Sequence, residues 1–236
     1  MLTNSKKWLM LGLYPAGMFI LPFIVMFIIV IIRGLELAPI LNGEDFYVLT
    51  VATVISYAVL MGVLLVISFP VFRTDFRKIK SWKNFGLQML IGLVATFAMA
   101  ALGGWLVTRT GETDVALNQY LVENALMAMP FLMIMTAVFF GPIVEEIIFR
   151  LVMMNVFPRL KPIHNIIFSS LIFGAMHVLV GGWIHIIPYF LMGCVFGYIY
   201  LKNDNIWHAT VLHILHNGAT VGLVFAAQRL LEVLPY

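Results

Sequence analysis

Apolar residues in this chain come in long unbroken blocks, not at the alternating or every-third-or-fourth positions that a single buried face produces. The blocks cover residues 8–32, 47–71, 85–108, 131–157, 164–180, 183–201 and 207–227. Each is near the ~20 residues a helix needs to cross the hydrocarbon layer. Strand-like alternation is absent, so the pattern predicts an all-α, polytopic transmembrane bundle of about seven spans, with eight as the alternative. The first block follows Lys6 and Lys7, but it is too long for a secretory signal and has no small-residue cleavage site, so it is expected to be a span. Between 112 and 129 the pattern turns mixed and predicts an interfacial helix ending at Pro130.

Composition agrees with the pattern. Of 236 residues, 62% are hydrophobic and 11% charged. A mean hydropathy of +1.02 excludes a soluble globular domain, and nothing points to nucleic acid. The single Cys194 rules out an internal disulfide. Charge placement is more informative. If the seven spans alternate, Lys6, Lys7, Arg73, Arg77, Lys78, Lys80, Lys83, Arg159, Lys161 and Lys202 share one side with Asp75 and Asp204 alone. Glu36, Glu44, Asp45, Glu112, Asp114, Glu123 and Glu232 gather on the other. The positive-inside rule then predicts a plasma-membrane protein, bacterial in character, with a cytoplasmic N-terminus and an outer C-terminus.

One stretch breaks the apolar pattern at depth. In Gly141-Pro-Ile-Val-Glu-Glu-Ile-Ile-Phe-Arg150, two carboxylates and a guanidinium lie inside a span. An ionisable group there costs at least ~2.5 to 3.5 kcal/mol on insertion scales and calls for a functional reason. Glu146 and Arg150, at i and i+4, are expected to pair. Glu145 points elsewhere and is left without a local partner, while Pro142 should kink the helix about one turn earlier.

Further polar residues occur at matching depth. Glu145 lies 12 residues before Phe157, and His177 lies 13 after His164, so both stand ~18 to 20 Å from the intervening turn. His213 and Asn217, again i and i+4, share a face of the last span. Three helices can thus aim a carboxylate, two imidazoles and an amide at one cavity. A carboxylate with an imidazole can deprotonate water, and an imidazole with an amide can stabilise an oxyanion. Glu145, His177 and His213 could equally hold a divalent metal such as zinc with an open position for water. His216 falls off the shared face, and His164, His185 and His208 are expected at interfaces. Gly193 and Gly197 form a close-packing pattern.

In order and spacing, Glu145-Glu146-x-x-x-Arg150, Phe173-x-x-x-His177 and His213-x-x-x-Asn217 resemble the three motifs of the CPBP group. These are the CAAX proteases and bacteriocin-processing or immunity membrane proteins, also called the Abi family. The resemblance implies an intramembrane endopeptidase acting on a peptide or membrane-protein substrate within the lipid bilayer. Glu145 and His177 would activate water, His213 and Asn217 would stabilise the oxyanion, and Glu146 and Arg150 would support the site. Since the family is described both as metal-dependent and as glutamate-dependent, the cofactor stays open. On this reading 1–120 is a transmembrane scaffold and 121–236 the catalytic core. The first three spans show no visible chemistry. A proton-coupled transporter and a non-catalytic immunity protein are the competing classes. The first lacks the inverted repeat such carriers carry, and the second would have no need of an unpaired buried Glu145.

Overall fold

In the computed structural model, which describes residues 2–41, 46–179 and 181–233, the apolar blocks are helices. Lipid offers no partner to backbone N–H and C=O groups, and the helix satisfies them within the segment. Helix α1 is Asn4–Arg33, α2 Phe46–Arg77 and α3 Trp82–Thr108. The amphipathic α4, Leu117–Ala128, leads into α5, Pro130–Asn155. Then come α6, Pro162–His177, α7, Ile186–Asn203, and α8, Ile206–Val233. Glu44, Asp45, Val180 and Tyr236 of the sequence reading, and the side chain of Glu232, lie outside the described residues.

Local chemistry sets the ends. Thr3 Oγ1 accepts the Lys6 N–H at 3.4 Å and Ser81 Oγ that of Asn84 at 3.3 Å, serving first-turn donors of α1 and α3. Proline occupies the first position of α5 and α6, where no intrahelical donor is needed. Gly181 and Gly182, at φ 138° and 69°, make the turn between α6 and α7 in backbone territory that side chains disfavour.

Six helices are long and apolar enough to cross a membrane. At 16 residues, α6 is shorter, about 24 Å, yet it still traverses the bundle. Lys7 Nζ bonds Asn155 O at 2.7 Å at the end of α5, and Lys78 beyond α2 bonds Asp204 O at 3.1 Å beyond α7. All four residues line one cavity, so these ends lie together. At the other end, a side-chain carbon on Gly103 would sit 2.4 Å from Pro188 Cα, near the start of α7. Among the described residues, α6 thus runs between the same two ends of the bundle as its longer neighbours.

The core draws on both halves of the chain, with Met10, Leu64 and Met89 in one buried cluster with Val144, Phe173 and Leu212. Ile31, Ile32, Val66 and Phe131 are about three-quarters exposed, as expected of lipid-facing positions. The glycine pattern on α7 is a true close contact: side-chain carbons on Gly193 and Gly197 would meet Ser170 at 3.0 Å and Ile166 at 3.2 Å on α6.

The helix bearing Glu145 is not a plain kinked helix. Two π-helical segments, Met135–Phe140 and Ile147–Val152, bracket the α-helical Gly141–Glu146. The Gly141 N–H reaches back to Thr136 O, skipping Ala137. Pro142, the next residue, has no N–H to give. Ala137 O is thereby left without a helical donor.

Candidate active site

Two side chains from other helices serve the carbonyls that the π segments release. Asn217 Nδ2 donates to Ala137 O at 2.8 Å. In the second segment the Met153 N–H bonds Ile148 O, and Ser169 Oγ of α6 donates to Phe149 O at 2.6 Å. Wide turns are thus stabilised on both sides of the carboxylates, as is frequent at functional sites.

Between them, Glu146 and Arg150 are completely buried and paired, with Nη1 3.2 Å from Oε1. This contact is an ion pair without hydrogen-bond alignment. Arg150 Nη2 instead donates to Gly193 O at 3.0 Å, and Nε has no hydrogen-bond partner. The rings of Phe173, Phe196 and Phe149 lie 4.7, 5.4 and 5.9 Å from the guanidinium carbon, so aromatic faces take the place of further hydrogen bonds.

Glu146 has a second partner. His213 Nδ1 lies 2.8 Å from Glu146 Oε1. An ionised carboxylate has no proton to offer, so Nδ1–H is the donor, which in a neutral ring leaves Nε2 as the acceptor. That Nε2 lies 3.7 Å from Glu145 Oε2, too far for a direct hydrogen bond. Glu145 is slightly open, its side chain 13% exposed.

His177 is oriented in the same way. Its Nδ1 lies 2.8 Å from Phe173 O, a carbonyl that only accepts, so in a neutral ring Nε2 is again the acceptor. The ring stacks on Tyr189 at 4.4 Å and packs at 4.5 Å on Phe173, a ring that also faces His213 at 5.8 Å. The structure thus gathers Glu145, Glu146, Arg150 and His213 in direct contact. Asn217 lies a turn beyond His213, and His177 lies across the Phe173 ring. Among the described residues no three His, Cys, Asp or Glu side chains converge closely enough to hold a metal ion. The set Glu145, His177 and His213 does not fit a metal in this arrangement.

The sequence reading missed the tyrosines. Tyr14 on α1, Tyr57 on α2 and Tyr189 on α7 lie close enough to feel the charge of Glu145. A side-chain carbon on Gly141 would stand 3.7 Å from Glu145 Oε1 and 3.9 Å from Tyr57 Cε1, so carboxylate and ring edge both face the space over a residue without a side chain. No periodic signal marks these tyrosines, and Tyr14 and Tyr57 stand in spans that read as scaffold. His216 is buried outside the site. Thr96 Oγ1 donates to Leu93 O, so it accepts from His216 Nδ1 at 3.0 Å. His208, expected at an interface, is buried against Phe85.

Comparison with known proteins adds the family. Residues 127–219 match the model of "Type II CAAX prenyl endopeptidase Rce1-like". The chain is 32% identical over 108 residues to "Putative membrane peptidase YdiL" of Bacillus subtilis (strain 168). That alignment covers 44% of this chain and 41% of the relative, so the chain spans less than half the length of the curated protein it matches. No solved structure gives a significant match. The matched segment holds Glu145, Glu146, Arg150, His177, His213 and Asn217 alike, and over it the chain is similar to the CPBP family.

Proposed function

We propose that the chain is an intramembrane endopeptidase that cleaves a peptide bond of a membrane-associated or precursor substrate with a water held by Glu145. The observation that carries this is the pair of acceptors, Glu145 Oε2 and His213 Nε2, 3.7 Å apart. One water has two hydrogens to give and can bridge two acceptors so spaced, leaving its lone pairs free for a substrate carbonyl. Glu145 takes the proton as the water oxygen bonds to the carbonyl carbon. It then returns that proton to the departing amine as the C–N bond breaks. His177 offers a second neutral imidazole whose accepting Nε2 can serve the water or the substrate amide. Glu146 fixes the tautomer of His213, and Arg150 neutralises Glu146.

Donors for the oxyanion are scarcer. Neutral His213 has spent its only N–H on Glu146, and one amide hydrogen of Asn217 is spent on Ala137 O. The second amide hydrogen of Asn217 and the phenols of Tyr14 and Tyr57 remain as candidate donors. The matched family's name points to peptides ending in a prenylated CAAX sequence, and membrane-protein segments are the alternative substrates. The test is to compare new peptide termini in membranes from cells making the wild type or Glu145→Gln. Termini found only with the wild type support the reading, and identical sets sink it.

A further inference from the structure

At the basic end of the bundle, where α1 begins and α2 and α5 end, a cavity of about 280 Å³ opens. Its lining is of two kinds. Ile67, Val71 and Leu151 form an apolar wall belonging to the membrane-spanning helices, while Lys6, Lys7 and Lys78 stand at the rim. The two carboxylates of the lining, buried Asp75 and exposed Asp204, are turned on one lysine. Asp75 lies 2.8 Å from Lys78 Nζ and Asp204 3.3 Å from it, and Asp75 also accepts the Ile206 N–H at the start of α8. The hydrogen bond to Asp75 holds the Lys78 ammonium above its ordinary range, so it stays charged.

Lys7 and Lys6 are left. Lys7 gives one N–H to Asn155 O and keeps two, and Lys6 is exposed and makes no ion pair among the described residues. Three lysines against two aspartates leave one positive charge, which a single monoanion balances. A free water-soluble anion would leave the apolar wall uncovered. An amphiphile would cover it, with its anionic head at the rim and its chains along the helices.

We propose that this cavity binds an anionic phospholipid, its phosphodiester between Lys6 and Lys7 and its acyl chains along Ile67 and Val71. This site is separate from the Glu145 cluster and does not depend on the peptidase reading.

The test uses the purified full chain in detergent, its melting followed while short-chain phosphatidylglycerol is added, against phosphatidylcholine of the same chains and against free glycerol phosphate. Only phosphatidylglycerol should raise the melting temperature in a saturable way. Lys6→Gln should melt like the wild type without lipid and bind phosphatidylglycerol about fivefold more weakly, the share of one lysine near a lipid surface. Lys83→Gln, an exposed residue of the same basic face outside the cavity, should bind as the wild type does. Equal stabilisation by phosphatidylcholine, or an equal loss in Lys6→Gln and Lys83→Gln, overturns the site. A full shift with glycerol phosphate alone overturns the lipid assignment in favour of a soluble anion.

Discussion

His213 and Glu146 are joined by a 2.8 Å hydrogen bond in which the imidazole Nδ1–H donates to a wholly buried carboxylate. That bond binds α8 to α5 and decides which nitrogen His213 turns towards Glu145. Glu146 therefore joins a guanidinium on one side to the His213 imidazole on the other. Glu146→Gln should lower stability and cleavage together, because the new amide can donate to Nδ1 and reverse the tautomer. Removing one member of a buried ion pair costs ~3 to 5 kcal/mol. Arg150→Met should cost as much, and the double variant less than the sum, since the second change removes the charge stranded by the first. Melting of the purified singles and double checks this, and strict additivity would contradict it.

Asn217 and Pro142 should also be coupled. The proline and the π segment before it leave Ala137 O without a helical donor, and Asn217 supplies one. Asn217→Ala should then cost about 1 to 3 kcal/mol, the price of an unserved buried acceptor, besides any loss of turnover. In a Pro142→Ala background the restored N–H can reach that carbonyl, and the same substitution should cost less. A double-mutant cycle on melting measures the difference. An equal cost in both backgrounds would show that Asn217 does not stand in for the missing donor.

The spans and the shared depth of the motifs were legible in the sequence because both follow from length and helical rise alone. The pairing of Glu146 with Arg150 was legible for a similar reason, being a local i, i+4 relation. The partner of Glu145 was not. Each π turn holds about one residue more than an α turn, so the two segments flanking 141–146 shift the phase of the helix. After that shift His213, not His177, is the imidazole beside Glu145. Tyr14 and Tyr57 escaped notice because a lone tyrosine in an apolar span carries no spacing signal, and their approach to Glu145 depends on how α1 and α2 pack on α5.

Chelation tests the cofactor question directly. Since Glu145, His177 and His213 do not converge on one point in this arrangement, cleavage by the purified protein should survive exhaustive chelation in metal-free detergent. Loss of cleavage restored by zinc would show that the three side chains close around a metal in the working state.

Glu145 and Tyr57 both face the space over Gly141, and two substitutions probe that space from opposite sides. Gly141→Ala places a methyl group 3.1 Å from Thr136 O and 3.7 Å from Glu145 Oε1. The first neighbour is backbone held by the π turn and yields little, so stability should fall by about 1 to 3 kcal/mol. At 3.7 Å the Glu145 carboxylate would be in ordinary van der Waals contact and need not move, so cleavage should fall no further than the melting change explains. Tyr57→Phe keeps the ring and removes only the hydroxyl. If that hydroxyl donates to the oxyanion, kcat should drop by about 100- to 1,000-fold, the cost of losing one such donor, with KM and melting little changed. Tyr57→Phe with wild-type kcat would leave oxyanion stabilisation to Asn217 and Tyr14. A fall in melting as large as that of Gly141→Ala would instead make Tyr57 a packing residue of α2.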